Sequence, residues 1–193
     1  MVKSRNKVLN ILAIDDNLDF LNSLKNRVSP IGFLIHPCRS LEGAEKLLQQ
    51  YGKSHFHGVI LDYLCLITDD QIKERQDFLP EALKFCDIHL PSLPRVVLSA
   101  ETGSIIDAID IWPNEIFVDK GEELEIKVFD YLREEGEKLI DRELLYRYKD
   151  VFDIFQSGKL SGEIQDNLLK LLKSMNQTSK ENIETNLSRI RIL

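Results

Sequence analysis

Cysteine, histidine and long apolar runs are all scarce in this sequence of 193 residues. The three cysteines, Cys38, Cys65 and Cys86, are odd in number and lack the spacing of metal ligands, so we expect free thiols in a reducing cytosol. The four histidines do not share a helix face, and we assign them no role. No segment approaches the roughly 20 apolar residues that cross a bilayer. We therefore predict a cytoplasmic protein with no membrane span.

Basic residues form no obvious patch, and the formal net charge is −7. Such a charge gives no general attraction for nucleic acid or for an anionic membrane, so we expect neither as a partner. Hydrophobic residues make up 43% of the chain, which is enough to bury a core. The length suits one domain of ordinary size with an appendage, or two small domains.

Four strand-like apolar runs each lead directly to side chains that can do chemistry. Run 8–14 is followed by Asp15 and Asp16, and run 58–61 by Asp62. Run 96–98 is followed by Ser99, and run 116–118 by Asp119 and then Lys120. A short apolar run of this kind is typical of a buried parallel strand. In an open α/β sheet the chemistry lies beyond the carboxyl ends of the strands. We therefore predict an acid pair, a third acid, a hydroxyl and an amine at one rim.

Amphipathic helical patterns lie between these runs. Asn17 can cap a first helix, and Ser40 can cap a second helix whose buried stripe includes Tyr51. Pro80 suits the first turn of a third helix, residues 104–111 form a fourth, and a fifth follows the last run. Strands that alternate with helices of this size predict a parallel sheet with right-handed crossovers.

The predicted rim needs a cation. Three carboxylates within a few ångströms repel each other by roughly 4 kcal/mol per pair at an effective dielectric constant near 20, unless a cation binds or a pKa rises. Mg²⁺ suits such a site because it takes few carboxylates and keeps several waters. Asp62 would then offer a carboxylate nucleophile, with Lys120 and Ser99 beside it. Taken singly, each side chain has a simpler interpretation, such as a helix cap for Asp15 or Asp16 or a solvated amine for Lys120.

The order of these groups resembles the receiver domain of two-component response regulators. The single acid follows the acid pair after 46 residues, a serine with an alanine next to it comes 37 residues later, and a lysine comes after 21 more. The resemblance covers residues 6–136. It implies a doubly wound, flavodoxin-like α/β fold with a five-stranded parallel sheet of strand order 2-1-3-4-5.

The resemblance also implies a role for each residue of the rim. Asp62 accepts a phosphoryl group from a histidine kinase or a phosphotransfer protein, and Asp15 and Asp16 help Asp62 to hold Mg²⁺. Ser99 binds the phosphoryl group, and Lys120 pairs with it. The resemblance implies a signalling domain that phosphorylates and dephosphorylates itself, not an enzyme with small-molecule turnover.

The sequence departs from the family pattern at three places. Leu66 stands four residues after Asp62, where the family usually has proline. Gly121 follows Lys120 where proline is again usual, often with a cis bond. Residues 66–79 are polar without an apolar period and indicate an insertion in the loop after the phosphorylation strand. These departures bear on fine geometry and kinetics, because all the chemical groups are present.

Residues 137–193 are not covered by the resemblance and form a predicted helical extension. An apolar stripe that includes Ile140 runs to a break at 156–158, and two shorter helices follow. Thr178 and Glu181 have capping-box spacing at the start of the last helix. The segment is too short for a robust core of its own. We expect it to support a homodimer or to act as the output.

Three functional interpretations follow. The first is a response regulator that signals through its fourth helix, fifth strand and fifth helix, with Ser99 and Phe117 as switch residues, and through the C-terminal helices. The second is a receiver-shaped interaction module that does not use phosphorylation, which the altered loops favour. The third is a transcription regulator, but the acidic C-terminal third lacks a recognisable helix-turn-helix. The intact acids, serine and lysine favour the first interpretation.

Overall fold

Five parallel strands form one sheet in the computed structural model, which describes residues 8–100, 102–121, 124–156 and 162–175. The strands are β1 (Leu9–Ile14), β2 (Phe33–Cys38), β3 (Gly58–Asp62), β4 (Arg95–Ser99) and β5 (Ile116–Asp119). Their order across the sheet is β2-β1-β3-β4-β5, and each neighbouring pair is parallel. The predicted order 2-1-3-4-5 is confirmed.

Seven α-helices lie along the part of the chain that the structure describes. They are α1 (Leu18–Val28), α2 (Leu41–Tyr51), α3 (Phe78–His89), α4 (Thr102–Ile111), α5 (Leu124–Arg147), α6 (Lys149–Gln156) and α7 (Gly162–Met175). Short 3₁₀ turns follow α1 at Ser29–Ile31 and α2 at Lys53–His55. A helix connects each strand to the next, as parallel pairing requires. The predicted doubly wound α/β class is confirmed.

The central strands are buried, which explains their near-continuous apolar sequence. Every residue of β3 is buried, and so is every residue of β4 except Arg95. β3 begins at Gly58, where a Cβ would come within 2.9 Å of the Leu132 side chain and 3.1 Å of the Ile11 side chain. A larger residue here would therefore force the tips of these two side chains to move.

Polar caps begin the first two helices as predicted. Asn17 Oδ1 accepts a hydrogen bond from the Phe20 N–H at 3.0 Å, and Ser40 Oγ accepts one from the Gly43 N–H at 2.9 Å. Each cap satisfies an amide that has no partner within the first turn. α2 ends at Gly52, whose φ of 82° favours glycine.

Tyr51 differs from the expectation, whereas Pro80 lies in the first turn of α3 as predicted. Tyr51, predicted to lie on the buried face of α2, is 44% exposed and stacks on the ring of His55 instead, with ring centres 4.8 Å apart. α3 begins at Phe78, two residues before Pro80, because Phe78 and Leu79 are both buried. The missing N–H of Pro80 is tolerated there, since amides of the first turn have no acceptor within the helix.

The predicted apolar stripe beyond the sheet forms two helices in the structure, where the sequence predicts one. α5 runs past Gly136 to Arg147, and α6 starts at Lys149. The Tyr148 N–H still donates to the Leu144 carbonyl at 3.0 Å. The interruption between the two helices is therefore confined to one residue.

Two compact units divide the chain, Met1–Gly136 and Glu137–Leu193. The first holds the sheet and helices α1 to α4, and the second holds α6 and α7, with Phe152 buried. The predicted final helix, from Thr178 and Glu181 onward, lies outside the described residues. Within the described ranges, no helix is both long and apolar enough to cross a lipid bilayer.

Candidate functional site

The predicted polar side chains meet in a cleft of about 270 Å³ at the carboxyl ends of the strands. The cleft is lined by Asp15, Asp16, Asn17, Phe20, Asp62, Tyr63, Leu64, Glu74, Ser99, Ala100 and Lys120. The structure therefore brings together the acid pair, the third acid, the hydroxyl and the amine. Phe117 is not one of the lining residues, because it is half-buried and packs against the hydrophobic core. Its role as a switch stays a prediction.

Three carboxylates form an acidic cluster in this cleft. Asp15 and Asp16 follow β1, Asp62 ends β3, and the parallel pairing of these strands brings their ends together. One carboxylate oxygen from each lies within 4.8 Å of the others. Asp15 and Asp62 are only 1% and 7% exposed, whereas Asp16 is half-buried. Because like charges repel strongly when buried, the cluster favours a compensating cation or a protonated carboxyl.

Lys120 supplies one positive charge to the cluster. Its Nζ lies 2.8 Å from Asp15 Oδ2 and 2.9 Å from Asp62 Oδ2. The Lys120 N–H donates to the Ser99 carbonyl at 2.9 Å, and Nζ lies 5.0 Å from the centre of the Phe20 ring. Burial alone would lower the pKa of the amine, but the charges of Asp62 and Asp15 outweigh burial and raise that pKa. The amine is therefore protonated at neutral pH.

The backbone holds Asp62 in a defined orientation. The Tyr63 N–H donates to Asp62 Oδ1 at 2.8 Å, and the same N–H lies 2.8 Å from the Leu98 carbonyl oxygen. Burial, and then the charge of Asp15, raise the pKa of the Asp62 carboxyl to about 7 in spite of Lys120. In the metal-free protein at neutral pH, this carboxyl is therefore close to half protonated.

Asp15 is the most deeply buried acid of the cluster. Its Oδ1 accepts a hydrogen bond from the Asn17 N–H at 2.9 Å. Its Oδ2 forms the ion pair with Lys120 but accepts no hydrogen bond of ordinary geometry. Burial raises the pKa of the carboxyl, and Lys120 and Asn17 counter that effect only in part. A buried, ionised carboxylate oxygen beside two other acids is suited to bind a hard metal ion.

The donor set of the cluster fits a hard divalent cation. Mg²⁺ binds through carboxylate oxygens and water, and the three acids offer one oxygen each at close range. When all three acids are ionised, Lys120 neutralises only one of their charges, so a divalent ion would balance the remainder. Asp15, Asp16 and Asp62 could hold such an ion between them.

Ser99 ends β4 beside the acidic cluster. Leu98 pairs with Asp62 across β3 and β4, so Ser99 lies one residue beyond the partner of Asp62. Ser99 is only 3% exposed, and it lines the same cleft. The predicted hydroxyl is therefore present at the site, next to the strand that carries the third acid.

The long loop after β3 is ordered and forms one wall of the cleft. The Leu41 N–H donates to the Leu66 carbonyl at 3.1 Å, and the Glu42 N–H donates to the Ile67 carbonyl at 2.9 Å. Leu66, one of the positions where the sequence departs from the receiver pattern, is buried at this junction. The docked loop carries Glu74 to the lining of the cleft.

A polar network strengthens the docking of this loop on α2. Ser40 Oγ donates to Asp69 Oδ1 at 2.5 Å, and Lys46 Nζ lies 2.7 Å from Asp69 Oδ2. The Asp69 N–H in turn donates to the Glu42 carboxylate at 2.9 Å. The insertion predicted from the polar sequence is therefore a structured part of the site.

Sequence reasoning missed several residues of the cleft. Glu74 lies in a polar stretch without periodicity, and Phe20 has the pattern of an ordinary helix residue, so neither carries a signal. Tyr63 and Leu64 directly follow Asp62, and adjacency to a predicted site residue could have indicated them.

The turn after Lys120 continues with Gly121, where the sequence departs from the receiver pattern. No cis peptide bond occurs among the described residues, Gly121 included. A Cβ at Gly121 would lie 3.4 Å from Asp119 Oδ1, which is an ordinary contact. A residue with a Cβ would therefore fit at this position.

Solved structures share this fold over most of their length. A structure of adenylate cyclase from Rhodopirellula baltica matches with a TM-score of 0.53 and 17% identity, over 73% of this chain and 98% of that chain. The signal receiver domain of an HD domain-containing protein from Pseudomonas fluorescens matches with a TM-score of 0.53 and 21% identity, over 73% and 98%. A CheY-like response regulator receiver domain from Methanospirillum hungatei matches with a TM-score of 0.51 and 14% identity, over 68% and 99%.

These matches confirm the predicted resemblance to receiver domains at the level of the fold. No family model matches the chain, and no curated protein matches it. At sequence identities this low, the matches establish the fold alone. The function therefore has to be argued from the residues of the cleft.

Proposed function

We propose that this protein is a two-component response regulator whose phosphoacceptor is Asp62. The observation that carries the proposal is the close arrangement of Asp62, Lys120 and the acid pair at the carboxyl ends of β1, β3 and β5. The receiver fold and the order of these groups along the chain support it. The donor of the phosphoryl group would be a histidine kinase or a phosphotransfer protein.

In the proposed reaction, an ionised oxygen of Asp62 attacks the phosphorus of the donor in line with the leaving group. The bond from Asp62 to phosphorus forms while the bond from phosphorus to the donor breaks, and the electron pair of that bond stays with the donor. The Tyr63 N–H, 2.8 Å from Oδ1, keeps the carboxylate oriented. Asp15, Asp16 and Asp62 would hold Mg²⁺, and its positive charge would favour the ionised form of Asp62 and offset the charge of the phosphoryl oxygens.

Lys120 changes its partner in this reaction. Its amine is shared between Asp15 and Asp62 at 2.8 and 2.9 Å. Once Asp62 is phosphorylated, the negative charge lies on the phosphoryl oxygens, and the amine pairs with them. The Ser99 hydroxyl can donate one hydrogen bond to the same group. Attack by water would return Asp62 to its starting state, so the protein acts as a switch without small-molecule turnover.

We place the output on the face formed by α4, β5 and α5, with Ser99 and Phe117 as switch residues, and on the C-terminal helices. Three isoleucines of α4 and β5 are exposed: Ile109, Ile111 and Ile116. Large apolar side chains exposed on these two elements support a contact surface there. The helices of residues 137–193 would support a homodimer.

We also place the protein in the cytoplasm, without a nucleic-acid or membrane partner. The net charge of −7 supports this assignment, and so do the three cysteines, which are all buried and free.

The test is incubation with Mg²⁺ and acetyl phosphate, followed by intact-mass measurement. We expect the wild type to gain one phosphoryl group and Asp62→Asn to gain none. Asp110→Asn, which removes an exposed carboxylate of α4, is the matched control and should be labelled like the wild type. An unlabelled wild type, or a labelled Asp62→Asn variant, would contradict the proposal.

A second candidate is a receiver-shaped interaction module that is independent of phosphorylation. The observation that favours it is the ion pairing of Lys120 with two acids, which partly balances the cluster without a metal ion. In that case neither acetyl phosphate nor Mg²⁺ would change the mass or the melting temperature of the protein.

A further inference from the structure

Three polar side chains outside the cleft converge on one point at the edge of the sheet. His36 is on β2, His55 is in the 3₁₀ turn after α2, and Asn10 is on β1. His36 Nε2 lies 3.3 Å from His55 Nε2 and 3.2 Å from Asn10 Oδ1. From the sequence we assign these histidines no role, because they are 19 positions apart and lie on different elements.

One hydrogen on His36 Nε2 would have two neighbours as acceptors in this arrangement. In a neutral imidazole, each ring nitrogen either carries a hydrogen or offers a lone pair. If His36 Nε2 carries a hydrogen, that hydrogen must be divided between Asn10 Oδ1 and His55 Nε2. If His36 Nε2 offers its lone pair to His55, it faces the Asn10 oxygen as a second acceptor. A cation in place of the shared hydrogen would satisfy all three atoms together.

The spacing of the two histidines matches a transition-metal site. Two imidazole nitrogens bound to one tetrahedral Zn²⁺ at about 2.0–2.1 Å lie roughly 3.3–3.4 Å apart, and the observed separation of the two Nε2 atoms is 3.3 Å. The ring centres are 4.9 Å apart with an angle of 85° between the ring planes. The two rings therefore already stand at a distance that lets both Nε2 atoms reach one ion.

We infer that His36, His55 and Asn10 form a binding site for a divalent transition-metal ion that prefers imidazole, such as Zn²⁺. The site is separate from the acidic cleft, whose oxygen ligands suit Mg²⁺. A bound ion would link β2, at the edge of the sheet, to the turn that follows α2. Water would complete its coordination, because both histidines are only half-buried.

The surroundings favour the neutral form of His36 and orient both imidazole rings. Burial, then the charges of His55 and Lys25, lower the pKa of His36, which favours the neutral form that binds metals. The Tyr51 ring stacks on His55 with ring centres 4.8 Å apart and an angle of 18° between the planes. The His36 ring also contacts Phe56 edge-on at 5.3 Å. Aromatic neighbours thus hold both imidazoles in place before any ion binds.

The experiment is a calorimetric titration of the full chain with Zn²⁺ in a large excess of Mg²⁺, which occupies the acidic cleft. We expect one Zn²⁺ per chain. His36→Gln and His55→Gln each remove a ligand, so each should weaken binding by more than the roughly 10–100-fold that loss of an outer-shell partner causes. His89→Gln, on α3, is the matched control and should bind like the wild type.

A second measurement tests Zn²⁺ binding in the wild-type protein, so it holds even if a variant fails to fold. In the wild-type protein, Zn²⁺ should shift the imidazole proton resonances of His36 and His55, while those of His89 stay unchanged and Mg²⁺ shifts none of them. Absence of binding, binding that persists in both variants, or unchanged His36 and His55 resonances would overturn the inference.

Discussion

Replacing Asp62 by asparagine should stabilise the metal-free protein at alkaline pH, although it removes the proposed phosphoacceptor. Burial and the charge of Asp15 raise the pKa of Asp62 from 3.8 to about 7 in the folded protein. The unfolded chain therefore loses the proton of Asp62 at a lower pH than the folded protein does. Protonated Asp62 therefore contributes to the free energy of unfolding. This contribution is complete below pH 3.8 and is lost as the pH rises through about 7.

The size of the effect follows from the separation of the two pKa values. The difference between 3.8 and about 7 corresponds to roughly 4 kcal/mol of free energy of unfolding at pH 8, and to less than half of that at pH 5, where only the unfolded state ionises. Asparagine has the same shape but no charge, so it avoids this cost. The variant also loses the ion pair with Lys120. The pKa of about 7 already includes the attraction between Asp62 and Lys120, so this loss is not counted a second time. We therefore expect a gain of about 2–4 kcal/mol at pH 8 that falls by more than half at pH 5.

The assay is urea denaturation of the wild type and Asp62→Asn at pH 5, 6.5 and 8 in the presence of EDTA. Asp110→Asn, at an exposed position on α4, controls for the general effect of removing a negative charge. Added Mg²⁺ should stabilise the wild type more than the variant, because an ion that binds only the folded state stabilises it. A variant that is no more stable than the wild type at pH 8, or a gain that does not grow with pH, would refute the reasoning.

Three further predictions concern the metal, the loop and the C-terminal helices. Asp16→Asn should weaken Mg²⁺ binding much more than it disturbs folding, and an unchanged dissociation constant in a Mg²⁺ titration would make this acid structural. Ser40→Ala removes the cap of α2 and the hydrogen bond to Asp69, so urea denaturation should show a loss of about 2–3 kcal/mol, while Ser92→Ala at an exposed position should cost almost nothing. Light scattering should find a dimer for the full chain and a monomer for a chain that ends at Gly136; a full-length monomer would contradict the role given to the C-terminal helices.

The features that the sequence predicted correctly are those that depend on local pattern and on topology. The runs before Asp15, Asp62 and Ser99 are apolar because their strands are buried on both faces. Parallel strands put their carboxyl ends at one edge, so residues far apart in sequence had to meet there. Asn17 and Ser40 were predictable as caps because their side chains bond to amides only three residues away.

The features that the sequence did not indicate depend on side-chain packing between distant elements. Tyr51 has the helical spacing of a core residue, but its ring stacks on His55 in the following turn. The convergence of His36 and His55 depends on how that turn packs against the edge strand β2, and no periodicity records this. The pairing of Lys120 with two acids required knowledge of which oxygens face the amine.

The inserted loop changes the electrostatics of the cleft without loosening it. Leu66 and Ile67 bond to the first turn of α2, and Asp69 is held by Ser40 and Lys46, so the loop has little freedom to lose when a ligand binds. This ordered wall carries Glu74 to the cleft, where it adds a carboxylate to the three acids already there. Lys120 is the one cationic side chain in the described lining, so the cleft is strongly acidic overall. A phosphoryl donor is itself anionic, so its approach to Asp62 would depend on a bound divalent cation to offset this charge.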